Sequence, residues 1–168
     1  MTKIMGAALL VSAGVLFGYG RAQRMWARAA LLRELGAAVM RMHGAVEARQ
    51  SLRRICSAMS GQFTGECGSF FEKLGASLGA LGESGLGELW ERCARESFGS
   101  ALTERELAPF LRLGSSLGSG EGALLALGQC ERELERAAEC AEASAARDGR
   151  MWTALGAALG SAAAIVLI

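Results

Sequence analysis

The sequence predicts an all-α protein, a helical bundle of about six helices with a transmembrane helix at each end, and three observations carry that expectation. A single proline interrupts 168 residues and β-branched runs are nearly absent, which favours helix. Apolar residues recur at three- and four-residue intervals through the middle of the chain. Both ends are long apolar runs without charge.

The first run, Ile4 to Tyr19, would reach ~24 Å as a helix, a little short of a ~30 Å hydrocarbon core. Arg21, Arg24, Arg28 and Arg33 follow at once, whereas only Lys3 precedes it. Basic residues stay on the cytoplasmic side, so the N-terminus is expected outside. A cleaved signal peptide is the rival reading, with Lys3 as its charged start, Ala7 to Phe17 as its centre and Gly18 and Gly20 before the cut; the arginines that would then lead the mature chain oppose its translocation. A buried core helix is the third reading. It yields because the other end repeats the pattern: Met151 to Ile168 is uncharged, would span ~27 Å, and follows Arg147 and Arg150.

These flanks agree on one organisation: a membrane helix over 1–20, a cytoplasmic helical domain over 21–150 and a second membrane helix over 151–168. Arg21, Arg24, Arg28, Arg147 and Arg150 set that topology. Each run also carries a GxxxG pair, Gly14 with Gly18 and Gly156 with Gly160, where missing side chains let another helix approach. With 23 glycines in the chain such pairs also arise by chance, and both readings stay open.

Net charge is +1, which implies no nucleic-acid partner. The five cysteines, Cys56, Cys67, Cys93, Cys130 and Cys140, are odd in number and share no metal-ligand spacing, so they read as small apolar residues in a reducing compartment.

After Tyr19 the first helix is expected to continue, with Leu32, Leu35, Val39, Met42 and Val46 on one stripe. His43 lies beside that stripe with no nucleophile partner. A short helix carries Leu52, Ile55, Cys56 and Met59 and ends at Gly61, and Gly61 to Gly68 reads as a loop. Phe70, Phe71, Leu74, Leu78 and Leu81 mark a third helix, and a break is expected within Gly79 to Gly87. Leu86, Leu89, Trp90, Cys93 and Phe98 mark a fourth, closed by Gly99. Thr103 with Glu106 resembles a capping box for a fifth, in which Leu107, Phe110, Leu111 and Leu117 face inward. Pro109 there predicts a kink or a start displaced to about Ala108. Gly118-Ser119-Gly120 is a turn, and Glu121 opens a sixth helix with Leu127, Cys130, Leu134, Ala137 and Ala141 in three-four alternation. The simplest packing sets the first and sixth helices antiparallel.

No catalytic motif accompanies these elements. The GSGEG piece at Gly118 to Gly122 lacks the following Lys-Ser or Lys-Thr and the preceding strand of a phosphate loop. No HExxH or ligand cluster occurs, so neither a catalytic residue, a metal nor a cofactor is expected, and no small-molecule substrate.

LRELGAAV (Leu32 to Val39), LRLGSSLG (Leu111 to Gly118) and LERAAECAEASAARDGRMWTALGAALG (Leu134 to Gly160) resemble the stage III sporulation protein AB family over nearly the whole chain. The charge-rich last helix running into LGxxxG is the most specific part. Departures exist: Gln50-Ser51-Leu52 stands where the family usually has a tyrosine and then Thr-Pro-Leu, and Glu121 and Leu125 stand where it tends to have aspartate and glutamine. The resemblance implies a component of the secretion-like channel joining mother cell and forespore, seated in the mother-cell membrane that faces the forespore. Its helical domain would be similar to the cytoplasmic domains of type II secretion platform proteins. It would dock the cytoplasmic ATPase of the stage III A complex, the AA protein of the same stage, among the complex's other proteins. The exposed turn with Leu117, Gly118 and Glu121 is the candidate contact, although a tight turn needs small residues in any case. A membrane-tethered helical regulator is the alternative function.

Overall fold

The computed structural model describes residues 2–80, 85–120 and 122–167, and side chains between residues 12 and 162 except 14, 15, 80–84, 121, 153, 156, 157 and 159–161. Described residues form six α-helices and no strand: α1 (Thr2–Glu47), α2 (Leu52–Gln62), α3 (Gly65–Ser77) with a short 3-10 turn at Leu78–Ala80, α4 (Leu86–Phe98), α5 (Glu104–Ser119) and α6 (Ala123–Leu167). The all-α class is therefore as expected. Among the described residues no helix is long and apolar enough to cross a membrane. The membrane helices expected over 1–20 and 151–168 are thus not found among them; much of each run lies outside the described side chains, and the rest is rich in glycine and alanine, which carry little apolar weight.

The chain divides into two compact units, Ala30–Ala138 and Met1–Ala29 with Glu139–Ile168. In the first, an aromatic cluster fills the space between α3, α4 and α5. Phe70 sits at its centre, its ring 5.0 Å from those of Phe71, Trp90 and Phe110 and 5.6 Å from Phe98. Three of these contacts are edge-on, the geometry in which the positive rim of one ring meets the negative face of another. All five rings are fully buried. The indole N–H of Trp90 would be stranded there, and it donates to the Phe110 carbonyl at 2.8 Å.

Two glycines make this packing possible. A Cβ on Gly114 would lie 2.5 Å from the Trp90 ring, so the absent side chain lets α5 press against the indole. A Cβ on Gly68 would lie 2.5 Å from the Phe63 carbonyl oxygen, which brings the α2–α3 corner close over the start of α3. That corner corrects the sequence reading. Gly61 is inside α2 and the connection is only Phe63 and Thr64, both extended, because Gly65 reverses the chain with φ +61°.

At Pro109 the displaced start expected at about Ala108 does not occur. α5 starts at Glu104, where the Glu106 carboxylate accepts from the Thr103 N–H at 2.9 Å and from its hydroxyl at 2.7 Å. The capping interaction holds the first turn, and the helix continues through the proline. Gly99 closes α4 as the spacing implies. The break expected within Gly79 to Gly87 falls largely on residues 81–84, outside the described ones.

The remaining wall of this unit comes from α1 and α6. Leu32, Leu35, Val39 and Met42 are buried on α1, and Leu127, Cys130, Leu134 and Ala138 on α6. A Cβ on Gly36 would meet Leu134, and one on Gly128 would meet His43, so the two helices run antiparallel. The buried α6 stripe passes to Ala138 and Ala145 rather than the expected Ala137 and Ala141. A helix of 3.6 residues per turn drifts away from a strict 3.5 repeat, and here the drift has moved the stripe by one residue. On the other side of α1, Arg41 donates to Gln62 at 2.6 Å and stacks over the Phe63 ring at 5.1 Å. Glu34 reaches the N-terminus of α3: burial pushes its carboxyl up, while a backbone hydrogen bond at Thr64 pulls it back.

Ser97 is buried in α4 and its hydroxyl makes no hydrogen bond. Two substitutions should therefore move stability in opposite directions. Gly114→Ala forces a methyl into the Trp90 ring and is expected to cost about 1–3 kcal/mol. Ser97→Ala removes an unsatisfied hydroxyl and is expected to be neutral or to stabilise by up to ~1 kcal/mol. Urea unfolding of the full chain followed by circular dichroism measures both, and a stable Gly114→Ala protein would contradict the close approach.

Candidate partner surface and exposed arginines

The expected contact turn joins α5 to α6. Gly118 and Ser119 are its last helical residues, not the turn itself, and Gly120 caps α5 with φ +72°. Gly122 repeats that left-handed value before α6 begins at Ala123. Two left-handed positions this close reverse the chain at a point where only glycine is unstrained. Leu117 is half-buried and Gly118 is exposed, its absent Cβ facing Leu86 at 3.5 Å; Glu121 lies outside the described residues.

The sequence reading noted Leu125 only as a departure from the family and passed over Leu124; they are 66% and 43% exposed. Leu124 is three residues before buried Leu127, so spacing alone places it in the core. The register set by Gly36 against Leu134 and His43 against Gly128 puts Leu124 opposite Glu47, where α1 ends. α6 starts beside the last turn of its partner, and its leading leucines have no helix to pack on. They make an apolar tip to the α5–α6 hairpin.

His43 is half-buried on α1, its Nδ1 3.7 Å from a Glu131 carboxylate oxygen on α6. That pair links the two helices and presents no nucleophile. Among the described residues no group of three or more His, Cys, Asp or Glu is placed to hold a metal ion. Gly118, Ser119 and Gly120 form the end and cap of α5, and Gly122 precedes α6. On the outer faces, Arg112 meets Glu133 at 2.8 Å across α5 and α6, and Arg95 bridges Glu91 at 3.0 Å and Glu104 at 2.6 Å. These are solvated ion pairs of small energetic weight.

In the second unit α1 and α6 again run antiparallel, with a Gly149 Cβ position 3.5 Å from Ala22. Arg21, Arg24, Arg28, Arg147 and Arg150 are all exposed. The Arg21 guanidinium lies over the Trp152 ring, 5.2 Å from its centroid. An open groove of about 610 Å³ runs between Tyr19, Ala22 and Trp26 on one side and Ala145, Gly149 and Arg150 on the other. Tyr19 and Trp26 are both exposed. Gly18 is buried, whereas the surroundings of Gly14, Gly156 and Gly160 lie outside the described residues.

A model of the family described as Stage III sporulation protein AB (spore_III_AB) matches residues 3–168. The chain belongs to the stage III sporulation protein AB family. Membership carries a part in sporulation. No curated protein and no solved structure matches the chain at a significant level.

The cysteines of this family member are all free, as read from the sequence. Cys56, Cys67, Cys93 and Cys130 are buried, but Cys140 is exposed and so is not the small core residue expected. Burial pushes the thiols of Cys56, Cys67 and Cys130 up to about 12. A thiol so raised is a poor nucleophile, which removes the buried ones from any thiol chemistry.

An aqueous thiol reagent at pH 8 is therefore expected to modify one cysteine per native chain, with Cys140→Ser abolishing that reaction and the other four reacting only after unfolding; rapid modification of several would refute the buried placement. The same thiols make stability depend on pH. Because folding favours their protonated form, their contribution is complete below the unfolded-state value of 9.0 and is lost as pH rises from there toward about 12. Unfolding midpoints should thus fall between pH 9 and 10.5, less steeply in a Cys67→Ala/Cys130→Ala chain.

Proposed function

We propose that this chain is a non-enzymatic platform component of the sporulation channel complex between mother cell and forespore. It is held in the mother-cell membrane by the runs over 1–20 and 151–168, with residues 21–150 in the cytoplasm, and it docks the complex's ATPase. Family membership over residues 3–168 is the observation that carries this reading. Ile4 to Tyr19 and Met151 to Ile168 are uncharged and bordered on the inner side by arginine, the pattern of two anchors sharing one orientation. The glycine pairs, Gly14 with Gly18 and Gly156 with Gly160, are the helix-packing positions within those anchors.

The apolar hairpin tip supports the docking role. Leu124 and Leu125 together expose more apolar surface than an isolated surface leucine does, and such patches beside polar residues mark protein contacts. The family's usual glutamine at position 125 is polar, so the leucine here makes the contact of this member more apolar.

Leu124→Glu/Leu125→Glu should lower recovery of the ATPase with the full chain at least tenfold while leaving the melting temperature unchanged, since neither side chain is in the core. Undiminished recovery removes the tip as the docking site, and undiminished recovery after deletion of residues 51–130 removes the docking role. Cysteines introduced at each terminus of a chain lacking its native thiols should label from outside; protection of both would reject the two-anchor topology.

A further inference from the structure

Where α1 gives way to α2, the chain makes local choices that stability alone does not favour. The amide of Gln50 donates to the Ala45 carbonyl at 3.0 Å and that of Arg49 to the Val46 carbonyl at 2.9 Å, the paired backbone bonds of a Schellman cap. Such a cap needs one left-handed residue, which is ordinarily glycine. Here it is Arg49, at φ +55°, whereas the other left-handed positions among the described residues are Gly65, Gly120 and Gly122. Arg53 and Arg54 then stand in the first turn of α2, where the positive helix end favours carboxylates, and no acidic residue accompanies them.

All three arginines are exposed, and among the described residues none of them makes an ion pair or a side-chain hydrogen bond, whereas Arg41, Arg95 and Arg112 each do. Between Glu47 and Glu66 the chain carries no carboxylate. The Arg53 guanidinium lies 3.6 Å from where a Gly79 Cβ would be, so it reaches across to the 3-10 turn after α3. Gly118 against Leu86, and His43 against Gly128, bring the starts of α4 and α6 to this same end of the unit. Leu124 and Leu125 therefore share one end of the helical unit with the arginines. Glu47 and Glu88 are the described carboxylates there, and neither pairs with an arginine.

We propose that Arg49, Arg53 and Arg54 are the basic half of the docking surface, and that the docked ATPase lays an acidic segment on them while its apolar side chains cover Leu124 and Leu125. The assignment rests on the docking reading above. Charge complementarity selects the occupant: a guanidinium without a partner gains one when a carboxylate arrives, and it can give two parallel N–H bonds. A nucleic acid is the wrong polyanion. Ala30–Ala138 carries twelve basic against fourteen acidic side chains, so a long phosphate chain is repelled everywhere outside this corner. A left-handed arginine and two cations at a positive helix end are unfavourable in the free chain and are compensated on binding, and departures of this kind collect at functional sites.

Biolayer interferometry of the full chain in detergent micelles against the purified ATPase tests it. Association should slow about tenfold between about 50 and about 300 mM salt, as a charge-steered encounter does. Arg53→Glu/Arg54→Glu should lower the association rate constant about tenfold at low salt and flatten its salt dependence, whereas Arg53→Lys/Arg54→Lys should keep most of both. Arg49→Gly separates binding from folding: glycine relieves the left-handed strain, so the melting temperature should rise while association slows roughly two- to threefold. Arg105→Glu, exposed at the opposite end of α5, controls for net charge and should slow association by less than about twofold. An association rate indifferent to salt, equal slowing by Arg105→Glu, or preferential capture of nucleic acid by these arginines would overturn the basic surface and leave the apolar tip standing. A native chain that captures no ATPase at either salt overturns the docking reading and this surface with it.

Discussion

The packing around Phe70 is the constraint on which the helical unit depends. Its ring touches those of α4 and α5 as well as its neighbour on α3, so three helices share one buried object. Aromatic rings bury more area per residue than any other side chain and their edge-to-face contacts favour particular angles. The cluster thus sets how α3, α4 and α5 cross. It also explains two features that would otherwise be costs: Gly114 weakens α5 intrinsically, and Trp90 buries a polar N–H. The glycine admits the indole, and the Phe110 carbonyl satisfies it.

α1 and α6 have a different task. Their buried faces are made of leucine, valine, methionine, alanine and cysteine. Polar links between elements, such as His43 with Glu131 and Arg112 with Glu133, are on the solvated side. They orient the helices more than they stabilise them. Where α1 ends, at Glu47, α6 loses its partner, and the apolar surface left at Leu124 and Leu125 is a direct consequence of unequal helix ends.

The reading of function follows the same division. Nothing in the described residues gathers groups for catalysis; what the fold presents to its surroundings are an apolar hairpin tip and an arginine–aromatic groove, each in its own unit. The first of these is the surface proposed to dock a partner in this member of the stage III sporulation protein AB family.

Most of the core was readable along the chain, because burying one face of a helix imposes a three-to-four-residue spacing on its apolar residues. Leu32, Leu35, Val39 and Met42, Phe70, Phe71 and Leu74, and Leu89, Trp90 and Cys93 all follow it. Spacing also marked Thr103 and Glu106 as a cap, since that interaction is local. What only the tertiary structure decided depends on who sits opposite. Leu124 has the spacing of a core residue and is exposed because its partner helix has ended. Cys140 is exposed although four like residues are buried, Ala138 displaces Ala137 through helical drift, and Gly61 continues a helix because Gly65 makes the turn instead. Local chemistry is written in the order of residues, whereas burial and docking surface are properties of neighbours that the order does not name.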